Sequence, residues 1–230
     1  MFQFANFFKS TGPGGINPDF SFTLKPKVLA PLSVFPPAKA GIVEPAPCGN
    51  LGLISITDWI DLVETSIFKH LKSSLKPTTI PFFLFYNVLM CDAAGCGIVR
   101  FHDSFRNPNY NNALQTYAVA EYDTTTLVAS SADVSNISHE INELQDDPIG
   151  TNATPPWGHV GQVSGCQASL EVGDPLSMTT FPIPMSNGST YHVQDLAFLS
   201  WLYRQSPSIG LDGLYSLHGS FTTSAGAICR

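Results

Sequence analysis

The chain has little charge. Lys and Arg total 11 and Asp and Glu 18 among 230 residues, 13% in all, which excludes a disordered acidic chain or a charge-laced coiled coil. Basic residues are few and form no run, so clustered neutralisation of phosphates, and with it nucleic-acid binding, is excluded. No apolar run approaches the roughly 20 residues that span a bilayer. The opening Met1-Phe2-Gln3-Phe4-Ala5-Asn6 lacks the basic and long apolar regions of a signal peptide. Also missing are a G-x-S-x-G elbow, a P-loop and a dinucleotide fingerprint. Phe101-His102-Asp103-Ser104 spells a triad, but adjacent residues rarely converge on one reacting atom.

What is abundant is Gly and Pro, 18 of each, which predicts a loop-rich chain. Residues 1–50 carry Pro13, Pro18, Pro26, Pro31, Pro36, Pro37, Pro45 and Pro47, and read as an extended arm or linker. Residues 51–230 read as a single domain, long enough to bury a core. Its scarce Lys and plentiful Ser, Thr, Asn and Gly match an exported protein, so a secreted or extracytoplasmic location is expected.

Thr57 or Asp58 is placed to cap a helix. Trp59, Ile60, Val63, Ile67, Phe68 and Leu71 then follow at helical spacing. Residues 80–90 form an apolar run that reads as one buried strand. Residues 97–102 read as its hairpin partner and residues 115–122 as a third strand. Cys91 and Cys96 flank a turn sequence, which suits a local disulfide, with free thiols as the alternative. A helix is predicted over residues 133–146, with Asp133 at or near its N-cap and Pro148 ending it. Asn187-Gly188 marks a hairpin turn, and residues 191–203 read as a helix.

The chemistry concentrates in the residue 133–146 helix. Residues i and i+4 share a helix face, so His139 and Glu143 project side by side and can ligate one ion. Glu140, rotated about 100°, lies beside the ion, where a carboxylate can take a proton from metal-bound water. This is the logic of H-E-x-x-H with Glu in place of the second His. Asp147 falls roughly on the same face. Asp146 and Asp147 oppose the helix macrodipole, which points to a positive group nearby. Glu171 and Asp174 supply two more carboxylates downstream. His159 is a candidate ligand or oxyanion donor. His102, His192 and His218 read as hydrogen-bonded structural residues. The sequon at Asn136 lies inside this helix and reads as chance.

Ser138-His139-Glu140-Ile141-Asn142-Glu143 followed by Asp147-Pro148, Pro156-Trp157 and Glu171-Val172-Gly173-Asp174 resembles a group of bacterial secreted proteins with a zincin-like core. The motif order is also similar to that of the plant phosphate-induced protein family. Tyr191-His192-Val193-Gln194 extends the likeness. The resemblance implies a zincin-like α+β fold, a small mixed sheet packed on a metal-binding helix with a loop-rich C-terminal half. It implies His139 and Glu143 as ligands and Glu140 as base. Glu171 is then the third ligand, with Asp174 as its alternative or as a partner that orients a ligand.

Two His and one Glu leave a zinc site at +1, whereas one His and two Glu leave it neutral and less able to acidify water. Extra carboxylate also favours Ca²⁺ or Mn²⁺ relative to Zn²⁺. The functional expectation is an extracellular zinc-dependent hydrolase of the metalloprotease kind, acting on a peptide or protein. The alternative is a non-catalytic secreted or cell-wall-associated binding protein with a structural or relic metal site.

Overall fold

Apolar residues at period two and at period 3.6 give the chain small sheets and few helices, a mixed α+β architecture. The computed structural model describes residues 24–128, 133–224 and 229. The chain divides into two compact units. The helix-bearing unit is Phe35–Gly150 with Pro182–Val193. The loop-rich unit is Met1–Val34, Thr151–Phe181 and Gln194–Arg230.

In the helix-bearing unit, strand β1 (Gly41–Ala46), from the Pro-rich stretch, pairs antiparallel with β2 (Gly49–Ser55). Ser55 then caps α1 (Ile56–Leu62) by accepting from Asp58 N at 3.3 Å, so the cap lies just before the expected Thr57 or Asp58. A π-helical turn (Val63–Ile67) and a last helical turn (Phe68–His70) continue it. Trp59, Val63, Ile67 and Phe68 are buried, as their spacing predicts.

The apolar residues 80–90 are two strands, not one. β3 (Phe82–Tyr86) and β4 (Val88–Asp92) belong to different sheets. The break is Asn87, whose φ of 55° lies in the left-handed region that Asn tolerates better than most residues. Its side chain fixes the kink by accepting from Thr124 N at 2.7 Å. β4 pairs parallel with β2 and antiparallel with β5 (Gly95–Ile98), completing a sheet of order β1-β2-β4-β5. Cys91 stands opposite Cys96 in this hairpin, and the two form a disulfide. The expected strand over residues 97–102 is also divided, because the chain leaves β5 and enters β6 (Arg100–Asn107) in the second sheet.

That second sheet, of order β3-β7-β6, includes β7 (Ala113–Tyr122) and carries the candidate site. Side chains alternate across it. Phe101, Phe105 and Tyr117 lie on one face, where Phe68 of the first helical region and Phe83 meet Tyr117 edge-on at 5.8–6.1 Å. Each such pair contributes about 0.5–1.5 kcal/mol beyond the burial of its area. Arg100 and His102 lie on the other face, opposite Ala120 and Ala118. Both alanines are fully buried, and their small side chains let α2 (Ser135–Asp146) lie close on β6 and β7.

In the loop-rich unit, β8 (Ala153–Val160) and β9 (Val163–Ser169) form an antiparallel hairpin. At its turn, Gly161 has a φ of 60°, and a Cβ there would lie 2.0 Å from the Asp174 carbonyl oxygen. Trp157, Val172, Leu196, Phe198, Trp201, Leu202 and Tyr215 form the core. A second disulfide joins Cys166 to Cys229, leaving Cys48 free and exposed.

Residues 191–203 are not the single helix their apolar content predicts. They comprise β11 (Thr190–Gln194) and, after a break, the four-residue helix α3 (Leu199–Leu202). β11 pairs with β10 (Thr180–Pro184) around the predicted Asn187-Gly188 turn. The break is Asp195, a buried carboxylate that accepts from Leu196 N and His218 N, both at 2.8 Å, and from Ser216 Oγ at 3.1 Å. No helix among the described residues is long and apolar enough to cross a membrane.

Candidate metal centre

α2 presents the residues that its sequence spacing predicts. His139 Nε2 lies 2.8 Å from Glu143 Oε2, one helical turn on. Glu140, offset around the axis, brings Oε1 to 3.8 Å from the same nitrogen. These three side chains each offer a ligand atom within 4.8 Å of the others. All three are at most 3% exposed. Donors around a tetrahedral zinc ion, bound at about 2.0–2.2 Å, stand roughly 3.3–3.6 Å apart. The two distances to His139 Nε2 bracket that spacing, and the imidazole and carboxylate donors suit zinc.

β6 completes the surroundings with two residues that the helix motif does not contain. His102 Nε2 lies 3.0 Å from the Asp147 carbonyl oxygen, and its Nδ1 lies 3.1 Å from Glu140 Oε2. The Arg100 guanidinium donates to Asn136 Oδ1 at 2.7 Å and places Nε 3.9 Å from Glu140 Oε1. His102 is hydrogen-bonded, as expected, but it stands within the candidate site.

Asn136 locks the helix to the sheet by also donating Nδ2 to the Glu121 carbonyl oxygen at 3.0 Å. Fully buried, it offers no surface for a glycan, in keeping with a chance sequon. Asp133 does not cap α2 with its side chain. It accepts from His192 N and pairs with His192 Nδ1, both at 2.8 Å, tying β11 to the helix entry.

Burial raises the Glu140 carboxyl above its usual range, against the lowering effects of the His102 hydrogen bond and the His139 charge. Burial likewise pushes Asp146 up to about 8, and the negative neighbours Glu143 and Asp147 add to the shift. A proton held on Asp146 removes part of the conflict between an acidic C-terminus and the helix dipole.

Asp147 is fully buried at the end of α2, where its backbone N–H donates to the Glu143 carbonyl at 2.7 Å. Glu171, Asp174 and His159 belong to the loop-rich unit. Glu171 is half-buried in the turn after β9. Both Asp174 carboxylate oxygens accept side-chain amides, one from Gln162 and one from Gln167, an arrangement that braces the β8–β9 hairpin. His159 is exposed on β8, with Nε2 3.9 Å from Cys166 Sγ. That sulfur is tied up in a disulfide, so His159, Cys166 and Cys229 offer no thiolate cluster.

Sequence reasoning missed Arg100 and His102 as parts of the site. Two signals pointed to them. Polar Arg100 and His102 alternate with apolar Phe101, giving the strand one polar face. The small Ala118 and Ala120 in the neighbouring strand leave that face room for a helix.

No family model, no curated protein and no solved structure matches this chain. The zincin-like resemblance therefore rests on the order of its motifs.

Proposed function

We propose that the chain is a secreted, zincin-like metal-binding hydrolase of the peptidase kind, with His139 and Glu143 holding the ion and Glu140 as general base. The observation that carries this reading is the convergence on one helix of two buried ligand atoms, from His139 and Glu143, with the buried Glu140 carboxylate beside them. Buried ionisable groups are costly unless paired or ligated. A bound zinc ion would supply Lewis acidity toward a carbonyl and toward water. Glu140 would accept the proton of the attacking water, while the Arg100 guanidinium, with Nε 3.9 Å from Oε1, faces its carboxylate. The two disulfides fit an oxidising compartment outside the cytosol.

A second reading draws on the 2% exposure of Glu140 and its pairing with His102 and Arg100. A base so enclosed fits a closed, structural metal site, as in a non-catalytic wall-associated protein.

Metal analysis of the purified chain, combined with Glu140→Gln, decides between them. The hydrolase reading expects one metal ion per chain and peptide hydrolysis that Glu140→Gln lowers by at least about 100-fold. Bound metal without hydrolysis, and with loss of folding in His139→Ala, selects the structural reading. Absence of bound metal after dialysis against micromolar Zn²⁺ refutes both.

A further inference from the structure

We propose that His102 is itself a metal ligand through Nδ1, so that strand β6 supplies the second imidazole that the helix motif lacks. The inference rests on the metal-binding reading above and names a donor that neither the motif nor the resemblance supplies.

A carbonyl oxygen can only accept. His102 Nε2, 3.0 Å from the Asp147 carbonyl, must therefore carry a hydrogen and donate it. A ligating histidine characteristically fixes its ring in this way, with the second nitrogen donating to a carboxylate or backbone carbonyl. The ligating nitrogen is then Nδ1, and this atom faces the acidic cluster. It lies 3.1 Å from Glu140 Oε2 and 3.8 Å from Glu143 Oε2. The same Glu143 oxygen lies 2.8 Å from His139 Nε2. One carboxylate oxygen is thus flanked by an imidazole nitrogen from the helix and another from the strand. The His102 side chain is only 6% exposed, so little water is present to separate it from the carboxylates. An imidazole nitrogen and two carboxylates can share so small a space only with something positive between them, and that is a metal ion or a proton. His139, Glu143 and His102 all belong to the helix-bearing unit.

The fold supports this placement. His102 stands opposite Ala118, whose small side chain leaves the space above β7 to the imidazole and the helix. The Asp147 carbonyl that orients the ring lies just beyond the last turn of α2. The two ligand-bearing elements are thereby fixed to one another before any ion arrives.

The test uses the purified full chain loaded with Co²⁺. In paramagnetic proton NMR, each coordinated imidazole gives a strongly shifted, exchangeable ring N–H signal. Two such signals are expected, from His139 Nδ1–H and His102 Nε2–H. His102→Gln should remove one signal and weaken Zn²⁺ binding about 100-fold or more. One shifted ring signal in the wild-type complex overturns the inference and leaves the metal-binding reading standing, because the positive group beside Nδ1 is then a proton. Two signals that persist in His102→Gln overturn it as well. A chain that binds neither Co²⁺ nor Zn²⁺ refutes the metal-binding reading itself. The wild-type spectrum decides the matter even if His102→Gln fails to fold.

Discussion

Glu121 sets a pH limit on stability that can be worked from the structure. This residue of β7 is 1% exposed, and neither carboxylate oxygen has a hydrogen-bond partner. Burial, reinforced by the nearby Asp123 charge, pushes its carboxyl up to about 8 from an ordinary 4.5. Below pH 4.5 both the folded and unfolded chains keep the proton, and the group costs nothing. Between 4.5 and about 8 the unfolded chain releases it while the folded chain holds it, so stability falls as pH rises. Above that window both states are ionised and the cost stays constant. A shift of this size at 1.36 kcal/mol per unit sets a ceiling of about 5 kcal/mol. Water reaching the ionised group lowers the realised loss to about 2–4 kcal/mol. Glu121→Gln keeps the shape and removes the charge. Urea unfolding of both proteins, disulfides intact, at intervals from pH 5 to 9 isolates the residue from other titrating groups. The variant should gain on the wild type steadily as pH rises through neutrality. Parallel stability curves across that range would refute the reasoning.

Other consequences follow from packing and chain connectivity. Ala118→Leu inserts bulk where α2 lies against β7 and should cost about 1–3 kcal/mol, read as a lowered melting temperature. Metal affinity should fall with it, since the strand and helix donors are forced apart. Loss of the Cys166–Cys229 bridge frees a loop of 63 residues and should cost about 4 kcal/mol in the loop-rich unit. Loss of Cys91–Cys96, only 5 residues apart, should cost about 2 kcal/mol, so paired Cys→Ser variants in thermal unfolding should rank in that order.

What could be read in advance depended on how locally each feature is encoded. The α2 cluster was legible because an i, i+4 pair on a helix needs only the helix to exist, and Pro148 ends that helix as expected. The aromatic helical stripe from Trp59 to Phe68 was legible for the same reason. The Phe-rich run reads as one strand because a continuous apolar stretch carries no period, and the sheet change turns on the left-handed backbone of Asn87 and its side-chain bond to Thr124 N. Residues 191–203 were misread because their apolar content outweighed the turn at Asn187-Gly188. His102 does not stand out in the sequence because its role depends on pairing with Ala118, 16 residues on, and on the docking of a helix whose Glu140 lies 38 residues away. No local window contains both His102 and Glu140.

His102 also bears on the difficulty posed by Glu143 in place of a second histidine. A zinc ion held by one imidazole and two carboxylates is formally neutral, and a neutral centre is a weak activator of water and tolerant of harder ions. An ion held by His139, His102 and Glu143 carries a net +1, the charge of the stronger two-histidine sites. The substitution within the helix then does not reduce the number of imidazoles. On the proposed donor set, one of them comes from the strand instead of the helix. The cost falls on position, since a strand residue can hold an ion against α2 only if sheet and helix keep a fixed spacing. Buried Ala118 and Ala120, the Asn136 bonds to Arg100 and to the Glu121 carbonyl, and the His102 bond to the Asp147 carbonyl all fix that spacing. Metal preference follows from the same count. Two imidazoles select zinc over Ca²⁺, whereas a carboxylate-dominated site would compress that preference.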